Sequence, residues 1–192
     1  MLSLIVLAAG KSTRMRGRNK LLAKVDGKPM IRKVVEAALN SKVDEVIVVL
    51  GWQAKKVRDA LGDLPCRPIV NKDYEVGQSS SVKAGLRAVG DATRAILVLP
   101  GDIAKIDSRS INLVLEEYDR AKAPVIVAGH ESRPGHPILL DKVLFTEIEQ
   151  IAEQTFGLKA VVKKHEGKMR LVETGSGNVL TDVDTPEDLK QL

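Results

Sequence analysis

Residues 2–20 read LSLIVLAAGKSTRMRGRNK, and the junction at Ala8-Ala9-Gly10 decides how the chain folds. A run of Leu, Ile and Val ends in small residues and then passes into a basic, polar stretch. That is the pattern of a buried parallel strand running out into a loop. The "GKS" at 10–12 invites comparison with a triphosphate-binding P-loop, whose first glycine stands five residues before its second. Ile5 occupies that place here, inside the strand, so the stretch is not a P-loop. It keeps another use. Small residues at a strand end let a ligand approach the backbone, and α/β sheets bind ligands at loops after strand C-terminal ends. In that loop Arg14 offers a planar fork to phosphate oxygens, and Lys20 supplies a compact positive charge.

Outward from this stretch the same grammar repeats. DEVIVVLG (44–51), RPIVN (67–71), RAILVLPGD (94–102) and APVIVAG (123–129) read as further buried strands, closed by polar residues or glycine. HPILLD (136–141) and MRLVET (169–174) read as shorter strands, with helical stretches near 141–153 and 156–165. Ile31, Val34, Val35, Ala38 and Leu39 fall on one helical face, as do Ile111, Val114, Leu115 and Tyr118. NVLTDVDTPEDL (178–189) predicts one more strand and a terminal helix, with Thr185, Pro186 and Asp188 forming a capping-box start. The expected fold class is therefore α/β: a mostly parallel central sheet with helices on both faces, Rossmann-like, in a single domain over residues 1–192.

Composition narrows the function classes. Hydrophobic residues make up 44% and charged residues 29% of the 192, an ordinary globular balance. One Trp, two Tyr and two Phe are too few for a base-stacking platform on single-stranded nucleic acid. The formal net charge is +5, but 25 acidic residues are scattered among the 30 basic ones. The densest basic cluster, Lys11, Arg14, Arg16, Arg18 and Lys20, reads as local phosphate chemistry rather than a nucleic-acid footprint. Cys66 is the single cysteine, so neither an internal disulfide nor a thiolate zinc site is expected. The apolar start is too short to span a membrane, and the default expectation is a cytoplasmic protein with no membrane or nucleic-acid partner.

Three other segments carry candidate chemistry. LVLPGD sets Asp102 just past a strand, where a carboxylate suits a hard cation that bridges phosphates. In an extended segment Asp182 and Asp184 face the same side; Asp184 lies close enough to the helix start to serve its cap, which leaves Asp182 as the better metal ligand. NKDYEVGQSSSVKAGLRAVG (71–90) reads as loop then helix, with Ser79, Ser80 and Ser81 available to cap that helix.

Taken together, LAAGKSTRM, Lys20, GKPMI, LVLPGD and LTDVD, in that order along residues 4–189, resemble the nucleotidyltransferases built on one α/β domain, which join an NMP unit to a phosphorylated acceptor and release pyrophosphate. The resemblance implies that the first loop wraps a triphosphate, with Arg14 and Lys20 as its cationic groups, and that Asp102 and an Asp matching Asp182 hold Mg²⁺. Arg16 stands where many members have Gly directly after the Arg-Met pair, and Ile103-Ala104 replace their Met-Pro.

Within that group the segment carrying Asn71, Gly77, Ser79, Ser80 and Ser81 resembles the base-recognition motif of the molybdenum cofactor cytidylyltransferases. Backbone groups at Leu7, Ala8, Ala9 and Gly10 would complete that pocket. SRPGHPILL and TFGLKAVVKKH resemble the acceptor side of the same branch, which points to His136 and Lys159, although Lys159 replaces the usual Arg. The implied reaction transfers CMP from CTP, or NMP from another NTP, to the phosphate of molybdopterin cofactor, with a molybdoenzyme as eventual recipient. A guanylyltransferase, a transferase acting on sugar, polyol or cobinamide phosphates, and a non-catalytic nucleotide-binding carrier remain alternatives. A dinucleotide-binding oxidoreductase fits less well, because G-x-G-x-x-G is absent and no acidic residue closes the second strand.

Overall fold

The computed structural model describes residues 1–15 and 17–190. Along the chain run β1 (Leu2–Ala8), β2 (Lys24–Val25), β3 (Lys28–Pro29), α1 (Met30–Leu39), β4 (Glu45–Leu50), α2 (Ala54–Leu61), β5 (Arg67–Val70) and α3 (Gln78–Ala88). They are followed by β6 (Ala95–Pro100), α4 (Ser108–Ala121), β7 (Val125–His130), β8 (Arg133–Asp141), α5 (Phe145–Glu149), α6 (Leu158–Lys164), β9 (Met169–Glu173) and α7 (Pro186–Leu189). Seven strands form one sheet in the order β5-β4-β1-β6-β8-β7-β9. All neighbours are parallel except those of β8, which runs antiparallel to β6 and β7. The fold is α/β with a mostly parallel central sheet, as the alternation of apolar runs and helical faces predicts.

The strand side chains divide the core in two. Leu4, Val6 and Ala8 of β1 pack with Ile31, Val34 and Val35 of α1, Val57 of α2 and Ile111 and Val114 of α4. Ile5 and Leu7 point the other way, to Val82 and Leu86 of α3, Ile148 of α5 and Val161 of α6. Alternate residues of one strand thus serve opposite faces, and helices cover both. Gly85 of α3 lies over Ile5 so closely that a Cβ there would overlap the Ile5 side chain. The absence of a side chain at 85 sets how near α3 sits to the sheet.

At the C-terminal ends of the parallel strands the chain crosses itself tightly. Gly101 N–H donates to Leu7 O at 2.9 Å, Trp52 N–H to Ala9 O at 3.1 Å and Asn71 N–H to Leu50 O at 2.8 Å. These bonds bring the loops after β1, β4, β5 and β6 to one edge.

One expected strand is absent. Residues 177–180 form a 3₁₀ turn, and 181–184 run extended without pairing to the sheet. Two anchors hold the segment across the sheet edge instead of within it. Val179 is fully buried with its carbonyl against Gly135, and Val183 is buried beside Met30 and Ala104 while its N–H donates to Asp102 O at 3.2 Å. The capping box at α7 is present as the sequence predicts, with Asp188 N–H donating to Thr185 Oγ1 at 3.2 Å and Thr185 N–H to Asp188 Oδ2 at 2.7 Å. The helix expected over 141–153 is shorter: a 3₁₀ turn at Lys142–Leu144 followed by α5.

Candidate functional site

A cleft of about 360 Å³ opens at this edge, lined among others by Leu7, Gly10, Lys20, Tyr74, Ser81 and Asp102. The loop after β1 forms one wall. Ser12 takes a left-handed conformation, a 3₁₀ turn at Thr13–Met15 buries Met15, and Gly17 supplies a second positive φ of 81°. Ser12 Oγ accepts from Lys20 N–H at 3.2 Å, so the loop closes on itself and delivers Lys20 to the cleft. Arg16 lies outside the described residues. Gly10 is exposed with open space around its Cα, leaving its backbone reachable by a ligand.

Lys20 is the electrostatic centre. Its ammonium donates to Asp102 Oδ2 and, at 3.0 Å, to Asp184 Oδ1. Arg14 Nη1 lies 2.7 Å from Asp184 Oδ2. The Lys20 and Asp102 side chains are only 16% and 17% exposed. Burial opposes the charge on Lys20, but its contacts with Asp102 and Asp184 outweigh that, and its pKa is raised. Asp102 Oδ1 is buried and has no hydrogen-bond partner among the described residues.

Sequence spacing predicts Asp184 as a cap residue and Asp182 as the metal ligand; the structure overturns the cap assignment. The cap of α7 is made by Thr185 and Asp188, which also accepts from Asp184 N–H at 2.9 Å. The Asp184 side chain is thereby released from cap duty and turns to Lys20 and Arg14. Asp182 is exposed and lies on the side of His136. No group of three or more His, Cys, Asp or Glu able to hold a metal occurs among the described residues. One or two carboxylates with an unengaged buried oxygen nevertheless fit a hard cation that takes its other ligands from phosphates and water, as Mg²⁺ does. Asp102 Oδ1 meets that requirement.

The opposite wall is the turn before α3. Asn71 Nδ2 donates to Ser80 Oγ at 2.8 Å and to Ser81 Oγ at 3.1 Å, while its Oδ1 accepts from Asp73 N–H at 3.0 Å. Asn71 is therefore fully engaged in shaping the turn. The serines do not cap α3 as the sequence predicts. Gly77, at φ 125°, is the N-cap residue, Ser79–Ser81 already lie in the first helical turn, and the Ser79 N–H is taken by the Glu153 carboxylate. Ser80 Oγ lies 2.7 Å from Gly77 O, and Ser79 Oγ is buried without a partner among the described residues.

His136, on β8, has its Nδ1 buried and unpartnered among the described residues. Burial lowers its pKa, Lys159 adds to the lowering, and Asp102 and Asp182 oppose it. His136 is neutral near pH 7 on that balance. Lys159 is exposed on α6, on the same side. Three contributors, Glu75, Tyr74 and Glu153, are not evident in the sequence. Lys11 Nζ reaches Glu75 Oε1 at 2.6 Å, joining the two walls of the cleft. Tyr74 packs its Cβ against Gly51, where a Cβ would come within 2.7 Å of both Ala9 and Tyr74. Glu153 arrives from 74 residues away. None carries a local pattern; only the distance between segments in the fold makes them neighbours.

Comparison with known proteins matches the model of the MobA-like NTP transferase domain to residues 4–169. The bifunctional protein GlmU of Desulfotalea psychrophila is 34% identical over 120 residues, which is 62% of this chain. The chain spans 34% of that relative's length. Among solved structures, a nucleotidyl transferase from Methanothermobacter superposes with a TM-score of 0.86 at 25% identity, over 100% of this chain and 95% of that one. Rv0371c from Mycobacterium tuberculosis has the same fold, with a TM-score of 0.87 at 22% identity, covering 99% of this chain and 96% of its own. A second structure of Rv0371c is a complex with manganese, with a TM-score of 0.81.

Proposed function

Because this chain belongs to the MobA-like NTP transferase domain family, we propose that it is a Mg²⁺-dependent cytidylyltransferase acting on the phosphate of molybdopterin cofactor. Membership of the family supports nucleotidyl transfer as the reaction class, and the base and the acceptor are the finer part of the proposal. The observation that carries the reading is the Lys20 ammonium between Asp102 and Asp184, in a cleft whose opposite wall is the Asn71–Ser81 turn.

An acceptor phosphate oxygen attacks the α-phosphorus of the nucleotide in line. The bond from the α-phosphorus to the bridging oxygen breaks, and pyrophosphate leaves with that electron pair. A phosphate monoester is already anionic near neutral pH, so no side chain has to remove a proton. Catalysis is positioning and charge neutralisation. Exposed backbone around Gly10 and the Arg14 guanidinium hold the leaving phosphates. Lys20, raised in pKa and so charged throughout the neutral range, moves from the carboxylates to the α-phosphate oxygens. Asp102, and with it Asp184 or Asp182, is then free to hold Mg²⁺, which when bound supplies Lewis-acid polarisation of the phosphoryl group.

With Asn71 engaged by Ser80, Ser81 and Asp73, the base is read largely by backbone groups of Leu7–Gly10 and of the turn at Gly77–Ser81. His136 and Lys159 face the acceptor, His136 as a neutral hydrogen-bonding group and Lys159 as a cation for a phosphate.

The test is pyrophosphate release from CTP, and separately from GTP, with molybdopterin cofactor and Mg²⁺. Release with CTP and cofactor together, and not with either alone, supports the proposal. Release with GTP in place of CTP moves the protein to the guanylyl reading and leaves the mechanism standing. Release only with a sugar or polyol phosphate replaces the acceptor.

A further inference from the structure

The end of α5 and the segment that follows it are fastened to one face of α3 by a row of polar contacts. Arg87 forms a two-point ion pair with Glu149, its Nη2 at 2.8 Å from Oε2. One turn earlier Lys83 Nζ donates to Ile151 O at 3.0 Å. One turn earlier again the Ser79 N–H donates to Glu153 Oε1. Residues 79, 83 and 87 share a helical face, so the segment runs along the helix and ends at its first turn.

Two glycines lie against the last contact. At Gly77 a Cβ would overlap the Glu153 side chain, and at Gly157 a Cβ would lie 2.6 Å from Ser79 Oγ. Both have positive φ, 125° and 53°. Phe156 beside them is also left-handed, at φ 64°, and is 80% exposed. A bulky residue held in that conformation with its ring in water is a local cost next to the contact. The Glu153 carboxylate meets the positive end of α3, where it takes a free helix-start N–H.

We infer that Glu153 is a positioning residue for the nucleotide. From outside the cleft it fixes the Gly77–Ser81 turn, of which Gly77, Gln78 and Ser81 line the cleft wall. The inference rests on the proposed nucleotidyl transfer and adds to it a residue that never touches substrate. A turn with the Ser79 N–H unclaimed has more conformations available, so a nucleotide must order it on binding and loses affinity accordingly.

The test uses Glu153→Ala and Glu153→Gln, the latter keeping an oxygen that accepts from Ser79. Two readouts are needed: hydrogen exchange of the Ser79 amide in the ligand-free protein, and CTP and GTP titrations with Mg²⁺. Glu153→Ala is expected to speed Ser79 exchange and weaken binding of the preferred nucleotide about tenfold, the effect of one charge-assisted hydrogen bond. KM for that nucleotide rises with kcat within twofold, and Glu153→Gln recovers most of the affinity. Unchanged Ser79 exchange overturns the inference, as does faster exchange with affinity unchanged, which marks a purely structural contact. The wild-type titration alone reads the functional assignment: a wild type that binds nucleotide beside an unaltered variant overturns only the inference, whereas a wild type that binds neither nucleotide removes the basis of both.

Discussion

Lys20 and Asp102 stand 82 residues apart in the chain and form an ion pair in the cleft, each side chain more than four-fifths shielded from water. Asp184 closes the same cation from the other side at 3.0 Å. The two carboxylates hold the ammonium charged in a partly buried site, and in the proposed reaction that contact has to be exchanged for the α-phosphate.

Replacing Lys20 with Ala removes the charge proposed for the α-phosphate. Steady-state assays of pyrophosphate release are expected to show kcat falling roughly 100-fold or more, the usual scale for a lost transition-state charge contact. A loss below about threefold would end the role assigned to Lys20.

The carboxylates separate by their contacts. Asp102→Asn is expected to abolish metal-dependent turnover, because Asp102 Oδ1 is the unengaged buried oxygen. Asp184→Asn should reduce activity more than Asp182→Asn, since Asp184 touches Lys20 and Arg14 while Asp182 is exposed. Mg²⁺ titrations of the three variants decide it. The opposite order for Asp182 and Asp184 would restore the ranking that sequence spacing suggests.

Gly51→Ala places a Cβ within 2.7 Å of Ala9 backbone and side chain and of Tyr74. Backbone cannot yield there as a flexible side-chain tip can, so the variant should lose about 1–3 kcal/mol in urea unfolding. Because Ala9 and Tyr74 both line the cleft, nucleotide affinity should fall with stability. Unaltered affinity in the folded variant would separate Gly51 from the site.

Tyr118 tests the core away from the cleft. Its hydroxyl donates to Asp141, and Arg94 and Lys122 lie 5.5 and 5.6 Å from its ring centre. Burial, and after it the hydrogen bond to Asp141, raises its pKa above the ordinary 10.0. The neutral phenol is thus favoured by the fold. Its stabilisation is complete below pH 10 and is lost as pH rises through the higher folded value. Tyr118→Phe should cost about 1–2 kcal/mol near neutral pH. Wild type and variant should converge in urea midpoint as the solution is made strongly alkaline, and a constant difference across that range would contradict the linkage.

Much of the fold is legible in the chain because strands buried on both faces leave continuous apolar runs, and the helices at Ile31–Leu39 and Ile111–Tyr118 leave a clear period. The missing strand at 178–184 shows the limit. Val179 and Val183 carry a strand-like pattern, but they are anchored by Gly135 and Asp102, contacts no local window contains. The site divides likewise. Lys20 and Asp102 stand in loops at strand ends, where residue type and place make them candidates, and the family resemblance singles out Asp102 and the Asn71–Ser81 turn. The contact of Asp184 with Lys20 and Arg14 depends on Asp188 taking over the cap. Glu75 and Glu153 act only through segments brought near in three dimensions.

On the proposed function, the cleft takes a nucleoside triphosphate together with a metal held at Asp102. Calorimetric titration of CTP into the protein with Mg²⁺, repeated with EDTA, tests it most directly. Saturable binding that weakens sharply in EDTA is the expected result. Absence of binding to CTP and to every other nucleoside triphosphate, or binding that EDTA leaves unchanged, would contradict it.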